Sequence, residues 1–285
     1  MNQKKRLGIQ GLAALLQNAN FKGFFTGTIS QGATKKVCVP GLNCYSCPGA
    51  VGACPIGSLQ SSLTGFRFRF PYYVVGLLLF FGAVLGRAVC AFLCPFGLLQ
   101  DLIYKIPFFK KVKTFKGDKV LRYLKYIVLI VMVFVLPIMI KLTPVFCKYL
   151  CPSGTVAGIL LAISNSQIAA LLGKRFVWKL CILMMLLVAG LLVARPFCRY
   201  LCPLGAIYGL MNRFSLLHIT LDAAKCTGCG ACARSCTMAL DPVKQTNSPE
   251  CIRCGDCIEG CSQEALSYCI GNHSVSYTVK NASKK

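Results

Sequence analysis

Between residues 226 and 261 the chain repeats one cysteine spacing, C-x2-C-x2-C-x3-C: first Cys226, Cys229, Cys232 and Cys236, then Cys251, Cys254, Cys257 and Cys261. No other feature limits the fold so strongly. Three thiolates in a short loop grip one face of an iron–sulfur cube while the fourth reaches across to a second cube, so the segment has to double back around two buried groups. The spacing therefore assigns Cys226, Cys229, Cys232 and Cys261 to one [4Fe-4S] cluster, and Cys251, Cys254, Cys257 and Cys236 to another. Structural zinc needs fewer cysteines at wider separations between pairs, and disulfides are unusual in a cytoplasmic compartment.

The rest of the chain is built for a different solvent. Of 285 residues 55% are hydrophobic and only 14% charged, a balance that suits a bilayer. Residues 70–85, 120–140 and 176–194 are apolar runs near the roughly 20 residues a hydrocarbon core requires, and lysines or arginines bracket all three. A weaker run, residues 7–30, is interrupted by Asn18, Asn20 and Lys22; it reads as a fourth span broken at its middle, with an amphipathic surface helix as the alternative. Glutamine and asparagine inside that run, and the lack of a small-residue cleavage site, argue against a cleaved signal peptide.

A net charge of +24 would ordinarily suggest a nucleic-acid partner, but the basic residues lie mostly in short loops beside the spans. They are topology signals, and no nucleic acid is expected. The loop at residues 105–119, with Lys110, Lys111, Lys113 and Lys116, should be cytoplasmic by the positive-inside rule. Two spans later the C-terminal cysteines return to that side, and one span earlier the loop at residues 31–69 faces out. Residues 154–163 are too few to cross and read as a re-entrant half-helix. The expected fold class is thus membrane α-helical, about four transmembrane helices with re-entrant segments, plus a C-terminal two-cluster ferredoxin-like α+β domain. The division is a transmembrane domain at 1–217, a cytoplasmic ferredoxin domain at 218–279 and a tail at 280–285.

Six further cysteines form three C-x3-C-P pairs: Cys90/Cys94, Cys147/Cys151 and Cys198/Cys202, each with a glycine two residues after the proline. Cysteines four apart share a helix side, and proline is tolerated where a new helix begins. Topology brings Cys90, Cys94, Cys198 and Cys202 to the inner side, where four thiolates can converge. Cys147 and Cys151 face out, with the quartet Cys38, Cys44, Cys47 and Cys54. That quartet ends in Cys54-Pro55-Ile56-Gly57 and Leu59-Gln60, matching Cys94-Pro95-Phe96-Gly97 and Leu99-Gln100. The repetition suggests one cluster-binding device used twice, with Pro40, Pro48 and Pro55 fixing the loop. Disulfides are the competing reading for outer cysteines. Six thiols exceed one cube, so either the quartet binds and Cys147/Cys151 form a disulfide or second small site, or ligands mix between the groups. Simple packing is the alternative for all the pairs, and is the reading for Cys181, alone in an apolar run. Cys269 has no assigned role.

Other chemistry is limited by what is missing. No Asp, Glu or His lies within residues 70–85, 120–140 or 176–194, and the first hundred residues contain no acid, so no side-chain proton path is evident. His218 and His273 alone make a bis-histidine haem improbable. Arg87, Lys148, Arg195, Arg199 and Arg253 lie within a few residues of proposed ligands, where they would either snorkel at the interface or tune cluster potential.

At "RPFCRYLCPLGAIYGLMNRF", followed by "CTGCGACARSC" and "CIRCGDCIEGC", the chain resembles the membrane-bound polyferredoxins that serve periplasmic nitrate reduction, and is similar to the membrane portion of the regulator of nitrous-oxide reductase. The likeness runs over about residues 86–261, and Cys90, Cys94, Cys198 and Cys202 match the family's paired motifs. Thr237 and Ser262 depart from it, standing where bacterial ferredoxins often place proline. Cys38, Cys44, Cys47, Cys54 and the pair Cys147/Cys151 have no counterpart in the nitrate-reduction members, and these outer extras point away from quinol oxidation. The resemblance implies electron transfer between quinol or a cytoplasmic donor (a ferredoxin or reductase) and an extracytoplasmic acceptor such as a flavin protein. Two [4Fe-4S] clusters are expected in the ferredoxin domain and one or two more in the membrane domain of a multi-pass cell-membrane protein. The rivals are a quinol dehydrogenase subunit and a copper-handling or assembly protein, since soft thiolates also favour Cu(I).

Overall fold

Long apolar runs without period-two alternation fold as helix, and helices dominate the chain up to Met211. The computed structural model describes residues 3–64, 70–107, 111–141, 143–170, 172–271 and 273–275. Among these, two helices are long and apolar enough to cross a membrane, Asp118–Ile140 and Lys174–Leu192. Only 28% and 17% of their apolar windows are buried, so most of each faces outward, unlike the core helix of a water-soluble protein.

Two of the four expected spans come out shorter. The run at 70–85 forms the Tyr72–Val84 helix of 13 residues, starting after Pro71 and ended by Gly86 at φ 56°. Only glycine fits there: a Cβ would lie 2.5 Å from the Asn212 Oδ1 atom. The weak first run forms two helices, Gln3–Gln17 and Phe21–Thr26, parted at residues 18–20, where the Asn18 amide donates back to the Ala14 carbonyl (2.9 Å). The run read as re-entrant becomes the 13-residue helix Pro152–Ser164.

The C-terminal segment is a three-stranded antiparallel sheet, β1 (Leu217–Leu221), β2 (Leu266–Ile270) and β3 (His273–Val275), in the order β1-β2-β3. Ile219 stands opposite Tyr268, and both pack with Cys232, Cys257 and Leu266 under the short helices Ala231–Ser235 and Asp256–Glu259. The tail at 280–285 lies outside the described residues, as does Lys110.

This segment is bolted to the helices rather than tethered. Glu250 accepts from Arg87 (3.2 Å) and from the Lys125 ammonium, Arg87 also donates to the Pro249 carbonyl (2.7 Å), and the Asn212 amide donates to the Ser248 and Cys251 carbonyls (both 2.8 Å). Met238 and Ile252 pack on Ala91. The lysine-rich loop lies at the same end: Lys113 donates to the Arg234 carbonyl, and Arg122 donates to that of Met238.

Candidate metal centres

Each Cys-Pro-x-Gly stretch builds the same corner. Cys54, Cys94, Cys151 and Cys202 are extended N-caps, with φ between −67° and −85° and ψ between 112° and 130°, of the helices Pro55–Leu63, Pro95–Lys105, Pro152–Ser164 and Pro203–Met211. Proline at the first helical position gives up an N–H that the helix has no use for. The glycine N–H three residues after each cysteine, from Gly57, Gly97, Gly154 and Gly205, hydrogen-bonds the thiol sulfur, at 3.3 Å for Gly205. A thiolate there sits at the positive end of a helix and accepts a backbone hydrogen bond, which stabilises an anionic group.

Cys90, Cys94, Cys198 and Cys202 come together as the sequence suggested, all buried, and every pair among them lies close enough for the charges to interact. The arginines neither snorkel nor face solvent. Arg195 donates to the Cys90 carbonyl (2.7 Å) and clasps Asp101 (2.5 and 2.6 Å); Arg87 donates to the Cys198 carbonyl (3.0 Å). Arg199 and Tyr200 are anchored on Asp118 (2.6 and 2.5 Å), and Arg253 donates to the Asn212 carbonyl (2.5 Å). Lys148 is half-buried beside the Tyr149 ring.

Two glutamines outside the cysteine motifs hold them in place. Buried Gln100 donates to the Cys198 sulfur (3.0 Å) and accepts from the Phe197 N–H (3.1 Å); buried Gln60 donates to the Met132 carbonyl (2.7 Å) and accepts from the Cys147 N–H (3.3 Å). Each glutamine, one helical turn past its Cys-Pro-x-Gly corner, holds the partner cysteine motif. The shared Leu-Gln of the repeat was the available signal.

The six outer cysteines divide. Cys44, Cys54, Cys147 and Cys151 line one cavity of about 630 Å³, with Lys35, Lys36 and Lys179 on its walls. Cys38 instead donates to the Ser58 hydroxyl (3.3 Å), and Cys47 packs with Ala50 and Ala157. None of the twenty cysteines is in a disulfide. Cys181, read as packing, points outward, while Cys269 is buried beside Thr220. In the C-terminal segment one cavity is lined by Cys226, Cys229, Cys232 and Cys261 and a second by Cys236, Cys251, Cys254 and Cys257. Exposed Cys229 has its thiol held below the usual range by the Ala231 N–H and the Thr227 hydroxyl.

The loop bearing Cys38 to Cys54 touches the Cys90/Cys94/Cys198/Cys202 group: a Cβ on Gly41 would lie 3.0 Å from the Cys94 Cα, and the Leu42 N–H bonds the Cys94 sulfur. Buried Tyr208 donates to the Pro40 carbonyl (2.9 Å) and lies near Cys54 as well as Cys90, Cys94 and Cys202. At the opposite end, Ala91 and Phe92, beside Cys90, pack against Cys236, Cys251 and Cys254.

These residues fit iron–sulfur groups. Soft thiols are grouped in fours, with backbone donors aimed at sulfur and buried cations nearby, while among the described residues no three His, Cys, Asp or Glu converge tightly enough for a single ion. A family model described as a 4Fe-4S binding domain matches three times, over residues 70–116, 124–176 and 175–221, and a 4Fe-4S dicluster domain matches residues 218–262. Each of the three spans one C-x3-C-P pair, Cys147/Cys151 included. The chain is similar to the uncharacterized protein MJ0749 of Methanocaldococcus jannaschii, 30% identical over 223 residues that cover 75% of this chain and 76% of that one. It is also similar to the ferredoxin-type protein NapH of Haemophilus influenzae, 28% identical over 209 residues (67% and 66%). With the regulatory protein NosR of Pseudomonas aeruginosa it shares 32% identity over 180 residues, 60% of this chain and 23% of NosR. No solved structure matches.

Proposed function

Because the chain belongs to the membrane-bound polyferredoxin family, an iron–sulfur electron-transfer family, we propose that it conducts electrons across a membrane, from a cytoplasmic donor at the C-terminal domain to an extracytoplasmic acceptor at the outer cysteines. The single observation that carries this reading is the unbroken succession of cysteine groups: two in the C-terminal domain, then Cys90/Cys94/Cys198/Cys202, then the outer cavity beyond Tyr208. Bound in such groups, [4Fe-4S] clusters supply reversible one-electron redox chemistry.

The protein's part is spacing, shielding and charge. Cys226, Cys229, Cys232 and Cys261 would hold the entry cluster, since Cys229 is exposed to a docking donor such as a ferredoxin or reductase. Cys251, Cys254, Cys257 and Cys236 would hold the next, packed on Ala91. The buried inner four exclude water, and Arg87 and Arg195 offset their negative charge. Placing the lysine loop in the cytoplasm by the positive-inside rule puts the C-terminal domain there too. The segments around Gln3–Gln17, Tyr72–Val84, Asp118–Ile140 and Lys174–Leu192 would then make four crossings. An electron leaving a negative interior gains roughly 2.3 kcal/mol per 100 mV, which favours outward flow. A flavin protein is the acceptor proposed.

The test uses sealed vesicles loaded with reduced ferredoxin and an outside-facing, membrane-impermeant dye. Dye reduction is expected with this protein and not without it; no transfer would sink the conduit. One observation favours a second reading, quinol oxidation: a cavity of about 820 Å³ lined by Phe115, Val120, Tyr123, Tyr126 and Glu250 lies between the Asp118–Ile140 helix and the C-terminal domain. Reduction of the clusters by added menaquinol would support it.

A further inference from the structure

The outer cysteines pose a choice that spacing cannot make. Six thiols lie on that side, but their surroundings differ. Every pair among Cys44, Cys54, Cys147 and Cys151 is close enough for charges to interact, as in the inner group. Cys54 and Cys151 are the N-caps of their helices and receive the N–H groups of Gly57 and Gly154, as Cys94 and Cys202 receive those of Gly97 and Gly205. The two halves also face each other. The Cys147 sulfur lies 3.9 Å from where a Cβ on Gly57 would stand, and the Cys44 sulfur 3.8 Å from a Cβ on Gly154. Each glycine therefore stands within van der Waals reach of a sulfur from the opposite half.

Neither Cys38 nor Cys47 caps a helix or lines the cavity, although Cys47 takes the N–H groups of Gly49 and Ala50 and lies near Cys44. Around Cys38 the backbone pairs with the 51–54 return: the Val39 N–H donates to the Ala53 carbonyl and the Ala53 N–H to that of Val37 (both 2.9 Å). That stitch delivers Cys54 to its corner. Cys47 closes a turn on Cys44, its N–H donating to the Cys44 carbonyl (3.0 Å), and its side chain lies against Ala50 and Ala157, away from the cavity.

We infer that Cys44, Cys54, Cys147 and Cys151 form a fourth [4Fe-4S] site, an internal duplicate of the Cys90/Cys94/Cys198/Cys202 site, and that Cys38 and Cys47 shape its loop without ligating. Lys179 is its charge-setting residue: its ammonium donates to the Cys147 carbonyl (3.3 Å) and faces Cys44, Cys147 and Cys151. A cation beside a thiolate-ligated cluster stabilises the reduced, more negative state and raises the potential. The cavity, about 630 Å³ against about 20 Å³ for each C-terminal one, leaves this site open. Its purpose as an exit rests on the conduit reading, but its existence does not.

The experiment is anaerobic iron and acid-labile sulfide analysis of the full-length protein, with EPR of the reduced state. The double variant Cys44→Ser/Cys147→Ser should lose about four iron atoms per chain and one EPR signal, while Cys38→Ser/Cys47→Ser keeps the unsubstituted iron content. Full iron in the first, or loss in the second, overturns the ligand set. Because ligand variants can misfold, Lys179→Met is the second arm. It should keep all its iron and move one midpoint potential to more negative values, leaving the others in place; no movement of any signal overturns the assignment. Intact iron with no dye reduction in vesicles would refute the conduit and leave this site standing.

Discussion

Within a Cys-Pro-x-Gly corner each residue answers one physical demand: cysteine supplies sulfur, proline starts the helix, and glycine lets the turn approach the preceding cysteine motif. A Cβ on Gly97 would stand 2.8 Å from the Cys90 carbonyl oxygen and 3.0 Å from Gln10 Nε2. Gly97→Ala should therefore cost about 1–3 kcal/mol, seen as a lower unfolding temperature, and broaden the inner cluster's EPR signal. Gln100→Leu leaves the buried Phe197 N–H bare, and Gln60→Leu does the same to the Cys147 N–H, so each should cost about 1–3 kcal/mol. The two glutamines share no partner, so the double variant should be additive to within about 0.5 kcal/mol in thermal or denaturant unfolding. A strongly non-additive result would mean the two motifs form one coupled network.

Elements behave less regularly than their apolarity suggests. In the Asp118–Ile140 helix, residues Leu129–Val135 are π-helical, and the residue five on from Met132 is Pro137, which has no N–H to offer; the Met132 carbonyl is taken by Gln60 instead. The Gln3–Gln17 helix also acts as a strap. Gln10 donates to the Cys94 carbonyl (3.0 Å), Gln17 to that of Leu93 (2.8 Å), and Arg6 to Asp101 (2.9 Å). Its glutamines, which make it a less apolar membrane segment, are its contacts with the inner site. Gln10→Leu/Gln17→Leu should loosen that strap and speed loss of the inner cluster in air, while the C-terminal clusters bleach at their usual rate. Time-resolved EPR separates the two, and equal rates for all clusters would count against the strap.

In the whole molecule the C-terminal domain is joined to the helices through Glu250, which holds buried Arg87 and Lys125, while Asp101 and Asp118 tie the helical segments to one another. Removing one member of a buried ion pair typically costs about 3–5 kcal/mol, since its partner stays buried and uncompensated. Glu250→Gln, which strands Arg87 and Lys125, should undock the domain partially and raise hydrogen exchange around residues 238–254; unchanged exchange would place the joint's strength in Met238 and Ile252 instead. The sequence alone determined the cysteine inventory, the grouping of the C-terminal eight, the repeated corner and the apolar runs at 120–140 and 176–194 that fold as the two long helices, because spacing and apolar length are local properties; the third run, at 70–85, came out shorter. Which four of six outer cysteines meet, how Gln60 and Gln100 grip motifs 87 and 97 residues away, and that the outer loop rests on the inner site through Tyr208 were decided only by tertiary structure. Cys44 and Cys147 share no local pattern. Their meeting depends on how a loop and two distant helices pack, and no spacing rule reaches that far.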